Sequence, residues 1–160
     1  MNTKTNKILI FILFILSSSL ISAFIIEFGF GHKACKLCIY QRYPYVVSIL
    51  LIFSILIIKK GIKIHLLLLS VVFFIGSILA FYHFGIEQGF FVEAAVCETQ
   101  NLSEGLTKKD ILKQLQLNTV SCKEVSFRFL GLSLASINTI LSLVLCYIFF
   151  KLYRNYEINK

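Results

Sequence analysis

The chain has 160 residues, 58% hydrophobic and 15% charged, with one proline and no tryptophan. That length suits one domain; the composition excludes a disordered chain and is far too apolar for a soluble protein of this size. The formal net charge of +8 would suggest nucleic acid in a soluble protein, but a bilayer accounts for it better, because the basic residues gather at the ends of apolar runs.

Four such runs are long enough to cross a bilayer, which takes roughly 17–25 helical residues. The first, Ile8–Ile26, has no charge. Lys4 and Lys7 before it resemble the start of a signal peptide. Signal cores span only about 7–15 residues, so the run reads as a retained helix. Glu27, just beyond it, receives no role. The second run, Ile39–Ile58, is interrupted near its start by Arg42 and Pro44. Proline fits the first turn of a helix, which puts a helix start near Tyr43–Pro44. The third, Ile64–Ile86, holds His65 and His83 near its two ends. The fourth, Phe129–Phe150, carries Ser133, Ser136, Asn138, Thr139 and Ser142, a small and polar stripe suited to helix–helix packing. Cys146, deep in the same run, reads as a small buried hydrophobe.

None of these runs alternates apolar with polar residues as barrel strands do. The expected fold is an all-α integral membrane protein: a single four-transmembrane-helix bundle over 1–160, with approximate helices at 8–28, 39–58, 64–86 and 129–150. Loops at 29–38 and 87–128 join them on one side. In the longer loop, Thr107-Lys108-Lys109-Asp110 matches a capping box, and Ile111, Leu112 and Leu115 share one helical face. A short amphipathic helix on the membrane surface is expected there.

Orientation follows from lysine and arginine placement. Lys4, Lys7, the Lys59-Lys60-Gly61-Ile62-Lys63 turn, and Lys151, Arg154 and Lys160 all fall on one side. The loop 87–128 mixes acidic and basic residues. Both termini are therefore expected in the cytoplasm and both loops outside, in a bacterial periplasm.

Four of the five cysteines lie in those outer loops: Cys35 and Cys38 as a C-x-x-C, Cys97 and Cys122 in the long loop. The spacing of Cys97 and Cys122 is unlike the close ligand pairs of structural zinc. A C-x-x-C ring constrains little of an unfolded chain, and its usual use is redox exchange. Arg42 follows Cys38 by four residues, which puts a cation near a thiol at the membrane surface and favours its thiolate. His83, an ionisable group inside a span, is a further candidate.

The run Cys35-Lys36-Leu37-Cys38-Ile39-Tyr40-Gln41-Arg42-Tyr43-Pro44 resembles the signature of the DsbB family of disulfide-generating membrane enzymes. Tyr82–Gly89 resembles the exit of the third helix in its alphaproteobacterial members. Cys122–Val125, followed by Arg128–Ser133, resembles the entry to their fourth helix. Ala34 stands where many members have proline. The resemblance implies a quinone-dependent thiol oxidase of the bacterial inner membrane, with ubiquinone or menaquinone as cofactor and a periplasmic DsbA-like thiol oxidase as partner. It implies a disulfide between Cys97 and Cys122 and a mixed disulfide from Cys97 to the partner. It further implies a transient Cys35–Cys122 bond, and electron transfer from Cys38 to a quinone held by Arg42; His83, from its place inside a span, is the second candidate cofactor contact. The roles of Cys35, Cys38, Cys97 and Cys122 are thus catalytic by analogy; no metal is expected.

Vitamin K epoxide reductase-like proteins also combine a four-helix core with C-x-x-C. Theirs lies late in the chain, whereas here it lies between the first two spans. A non-catalytic membrane scaffold carrying disulfides is the alternative from another class.

Overall fold

The structure, a computed structural model, describes residues 3–92, 122, 128–129 and 131–158. Four of its helices are long and apolar enough to cross a membrane, and the fold is the expected all-α bundle. Helix α1 (Thr3–Phe24) widens at its outer end into a π turn, Ile25–Gly29. A short α2 (Lys36–Tyr40) precedes α3 (Tyr43–Ile58). Helix α4 runs Ile62–Glu87. A two-residue antiparallel hairpin, β1 (Arg128–Phe129) and β2 (Leu132–Ser133), leads into α5 (Leu134–Ile158).

Two expected boundaries move, each for a local reason. The second span is split: α2 ends at Tyr40, and Arg42 and Pro44 open α3, with Pro44 in the first turn where its missing N–H leaves no bond unmade. The fourth helix starts at Leu134, not at 129. Gly131 takes φ +84°, a left-handed conformation that suits glycine. Ser133 then caps α5, its hydroxyl oxygen accepting the Ser136 N–H at 3.2 Å. The amphipathic helix expected around 111–115, and Cys97, lie outside the described residues.

The turn between α3 and α4 is tight because two successive caps are left-handed: Lys59 at φ 55° and Gly61 at φ 64°. His65 bridges this end, facing the Gly61 carbonyl at 2.9 Å and the Ser54 hydroxyl at 3.2 Å.

Helices α4 and α5 pack against each other most extensively, α3 lies on α4, and α1 on α3. All four long helices feed one core: Leu9, Ile12 and Leu16 from α1; Tyr45, Ile52 and Ile55 from α3; Leu66, Leu69 and Phe73 from α4; Leu145 and Phe149 from α5. Phe73 stacks on Phe149 and meets Tyr45 edge-on. The outward faces stay apolar: Phe14 is 72% exposed, Leu50 64% and Tyr147 64%. Such a surface suits lipid and not water. A second buried cluster sits at the outer end: Cys35, Leu37, Ile86 and Cys122, with Cys38 and Tyr82 against it.

Candidate thiol–disulfide site

Cys35 is the N-cap of α2. Its extended backbone turns its sulfur back over the helix start, where it accepts the Cys38 N–H at 3.2 Å. Both are free thiols with their sulfurs 2.7 Å apart, so the C-x-x-C is folded for ring closure. Cys35 is 5% exposed, and Cys38 is half-buried. Cys122 is disulfide-bonded, to a partner outside the described residues.

The fold brings a member of each loop together. The Cys35 sulfur, the Cys122 sulfur and one ring nitrogen of His83 all lie within 4.8 Å of one another, and all three residues are buried. Three such atoms could in principle hold a metal. A disulfide sulfur, however, is not the thiolate a metal takes. A free thiol this close to a disulfide sulfur is instead arranged for exchange, in which a thiolate attacks one sulfur and expels the other.

Around Cys35 the electrostatics favour the thiolate. Its pKa is lowered from the ordinary thiol value of 9.0 to about 5. The largest cause is the hydrogen bond shared with the Cys38 side chain; burial opposes it, and the hydrogen bond to His83 assists. The His83 Nε2 atom is 3.6 Å from the Cys35 sulfur. Its ring also bonds to the Cys122 backbone and lies 3.7 Å from Glu87 Oε1, one helical turn further along α4.

The other face of the His83 ring meets a side chain that sequence reasoning missed. Gln41, buried in the break between α2 and α3, places its Nε2 atom 2.9 Å from His83 Nδ1. Its Oε1 accepts from Asn138 Nδ2 of α5 at 2.7 Å, and Asn138 Oδ1 accepts from the Tyr45 hydroxyl of α3. Asn138 was expected to pack helices and make interhelical hydrogen bonds, with no partner named. The available signal was chemical: a carboxamide inside a span needs polar partners, and Gln41 and Tyr45 were the candidates on the facing span.

Arg42 takes a place the spacing did not anticipate. Its guanidinium pairs with Glu27 of the π turn and lies over the Phe24 ring, with its central carbon 5.0 Å from the centroid. Glu27 thus gains a role as the partner that holds Arg42. The group that touches the thiols is His83. Phe28 and Tyr43, neighbours in sequence of this pair, are 76% and 61% exposed. Cys146, on α5, sits near Ser70 of α4, its sulfur 3.8 Å from the hydroxyl and far along the helix from the thiol pair.

The sequence model of the family described as disulfide bond formation protein DsbB matches residues 5–152. An uncharacterized protein of Rickettsia prowazekii (strain Madrid E), RP370, is 30% identical over 129 residues, 79% of this chain and 75% of the relative. No solved structure matches. With the four helices able to span a membrane and the thiol cluster at one end of the bundle in place, the match over nearly the whole chain means that this protein belongs to the DsbB family of membrane disulfide bond formation proteins.

Proposed function

We propose that the chain is a quinone-dependent thiol oxidase that reoxidises a periplasmic, DsbA-like dithiol protein. The observation that carries this reading is the approach of Cys35 to Cys122, a C-x-x-C thiol beside a loop disulfide with His83 between them.

The exchange balances in thiolates and disulfides. The partner's first thiolate bonds to Cys97 and displaces Cys122; Cys122 bonds to Cys35 of an oxidised Cys35–Cys38 pair and displaces Cys38. The partner's second thiolate closes the partner's own disulfide and displaces Cys97, and Cys97 bonds back to Cys122 and displaces Cys35. The Cys35–Cys38 pair then carries the two electrons and two protons that left the partner. A quinone supplies the acceptor for that pair of electrons and two protons.

The residues at the outer end suit such a cofactor. Arg42 has donors left beyond its bond to Glu27 and stands among aromatic side chains on a lipid-facing surface. It is the residue that would hold a quinone oxygen. His83, the second contact expected from the resemblance, has its ring engaged with Cys35, Gln41 and Glu87, which gives it a role at the thiols.

The test mixes purified protein, a reduced thioredoxin-like partner and quinone, and follows quinone absorbance. The intact chain consumes quinone in proportion to partner oxidised. Cys38→Ser abolishes quinone reduction while keeping its helix content; unchanged reduction in that variant would refute the reading.

A further inference from the structure

The Cys35 sulfur is the end of a hydrogen-bond chain that begins inside the bundle. The Tyr45 hydroxyl donates to Asn138 Oδ1, and the Ser142 hydroxyl donates to the same oxygen at 3.4 Å. Asn138 Nδ2 donates to Gln41 Oε1 at 2.7 Å. That leaves Gln41 Nε2 facing His83 Nδ1 at 2.9 Å. An amide nitrogen only donates, so Nδ1 is the acceptor and bears no hydrogen. The hydrogen of the neutral ring is therefore on Nε2, which faces the Cys35 sulfur at 3.6 Å and Glu87 Oε1 at 3.7 Å, with the Cys122 backbone as a further partner of the ring.

In this arrangement two hydroxyl hydrogens converge on the Asn138 oxygen, and each amide donates through its nitrogen toward His83.

We infer that Gln41 and Asn138 are positioning residues, whose paired amides hold His83 as a hydrogen-bond donor to Cys35 and so set how readily that sulfur carries a thiolate charge. This rests on the proposed function only in assigning Cys35 to exchange with Cys122. In that exchange Cys97 bonds back to Cys122 as the Cys35–Cys122 disulfide opens, and the outgoing Cys35 sulfur takes the electron pair. His83 transfers no proton; it supports the charge. The titratable groups facing the chain are Cys35 before α2, Cys38 on α2, Tyr45 on α3 and Glu87 on α4. Helix α5 contributes the neutral Asn138 and Ser142, Arg42 pairs with Glu27, and Cys122, within 4.8 Å of the Cys35 sulfur, joins the titratable groups once its disulfide is reduced.

The test is the pH profile of Cys35 alkylation by iodoacetamide in the full-length, reduced protein in detergent. Lys36 lies between the two thiols, so tryptic peptides report them separately. Gln41→Leu is expected to raise the midpoint by roughly one pH unit, the scale of one lost hydrogen bond to the charged form. Asn138→Leu shifts it the same way by less. The double variant matches Gln41→Leu alone, because Asn138 acts through Gln41. Gln41→Glu keeps the side-chain size but only accepts, so Nδ1 takes a proton and the midpoint falls. An unmoved midpoint in Gln41→Leu, additive shifts in the double variant, or a rise in Gln41→Glu would each overturn the inference. Trapping of a Cys35–Cys122 disulfide in the Cys38→Ser chain reports separately on the exchange. Its absence with the shifts intact sinks the oxidase reading alone; its presence with unmoved midpoints sinks this inference alone.

Discussion

Among the described thiols at the site, Cys35 is the one whose surroundings favour the thiolate. Its pKa lies near 5, well under the ordinary value, so at neutral pH it is a thiolate without help from a base. The sign is that of any depressed acid: the charged form is favoured in the folded chain, and that contribution to stability is lost as pH falls through about 5. Attack by the Cys35 thiolate on a small disulfide is therefore expected to be flat above pH 6 and to fall about tenfold per unit below pH 5. Stopped-flow exchange with a small disulfide checks this; a midpoint near 8 would contradict it. Arg42 is weighed at the same scale. Arg42→Met is expected to raise the KM for quinone on the order of tenfold, the size of one lost hydrogen bond to a charged donor. Glu27→Gln removes the ion-pair partner and keeps the cation, so its effect on KM is smaller. Equal effects of the two would mean that Arg42 serves only to hold Glu27.

At the scale of elements, the outer end of α4 places His83 and Glu87, and its stop is built by glycines. The Phe90 N–H reaches the Gly85 carbonyl at 2.8 Å, and the Gly89 N–H reaches Ile86 at 3.0 Å. These are the two bonds of a Schellman cap, with Gly89 left-handed at φ 77°. Gly85 also clears space for the Phe91 ring, which stacks on Tyr82: a Cβ there would lie 2.1 Å from a ring carbon. Gly85→Ala is expected to cost about 1–3 kcal/mol through overpacking, seen as a lower thermal midpoint in detergent. Phe91→Ala should remove most of that cost, and a Gly85→Ala penalty undiminished in the double variant would reject the clash. Ser133→Ala, which deletes the α5 cap, is expected to cost about 1 kcal/mol. The fourth apolar run was legible as a helix, but its start was not. Leu130 and Leu132 read as helix by hydropathy, while Gly131 and the Ser133 hydroxyl impose a hairpin and a cap.

At the scale of the whole molecule, the placement of the lysines predicts which way the bundle faces. Cysteine substitutions at Lys60 and Gly31 should label from opposite sides in cells with an intact inner membrane: Gly31 from outside, Lys60 only after lysis. Labelling of both from one side would break the topology. All four spanning helices were legible because lipid permits few alternatives: long uncharged runs must form helices to satisfy their own backbones.

Sequence by itself determined the apolar spans, their number, the C-x-x-C and the family, since each rests on local composition or on residues adjacent in the chain. Tertiary structure alone decided which groups serve Cys35. His83, Gln41, Asn138 and Tyr45 come from different elements, and their hydrogen bonds join residues up to 97 positions apart. No periodicity marks such a network, because it forms only where buried polar groups excluded from water must find one another. The same rule moved Arg42: near Cys38 by spacing, it turns instead to Glu27, the opposite charge that the packing of α1 brings within reach.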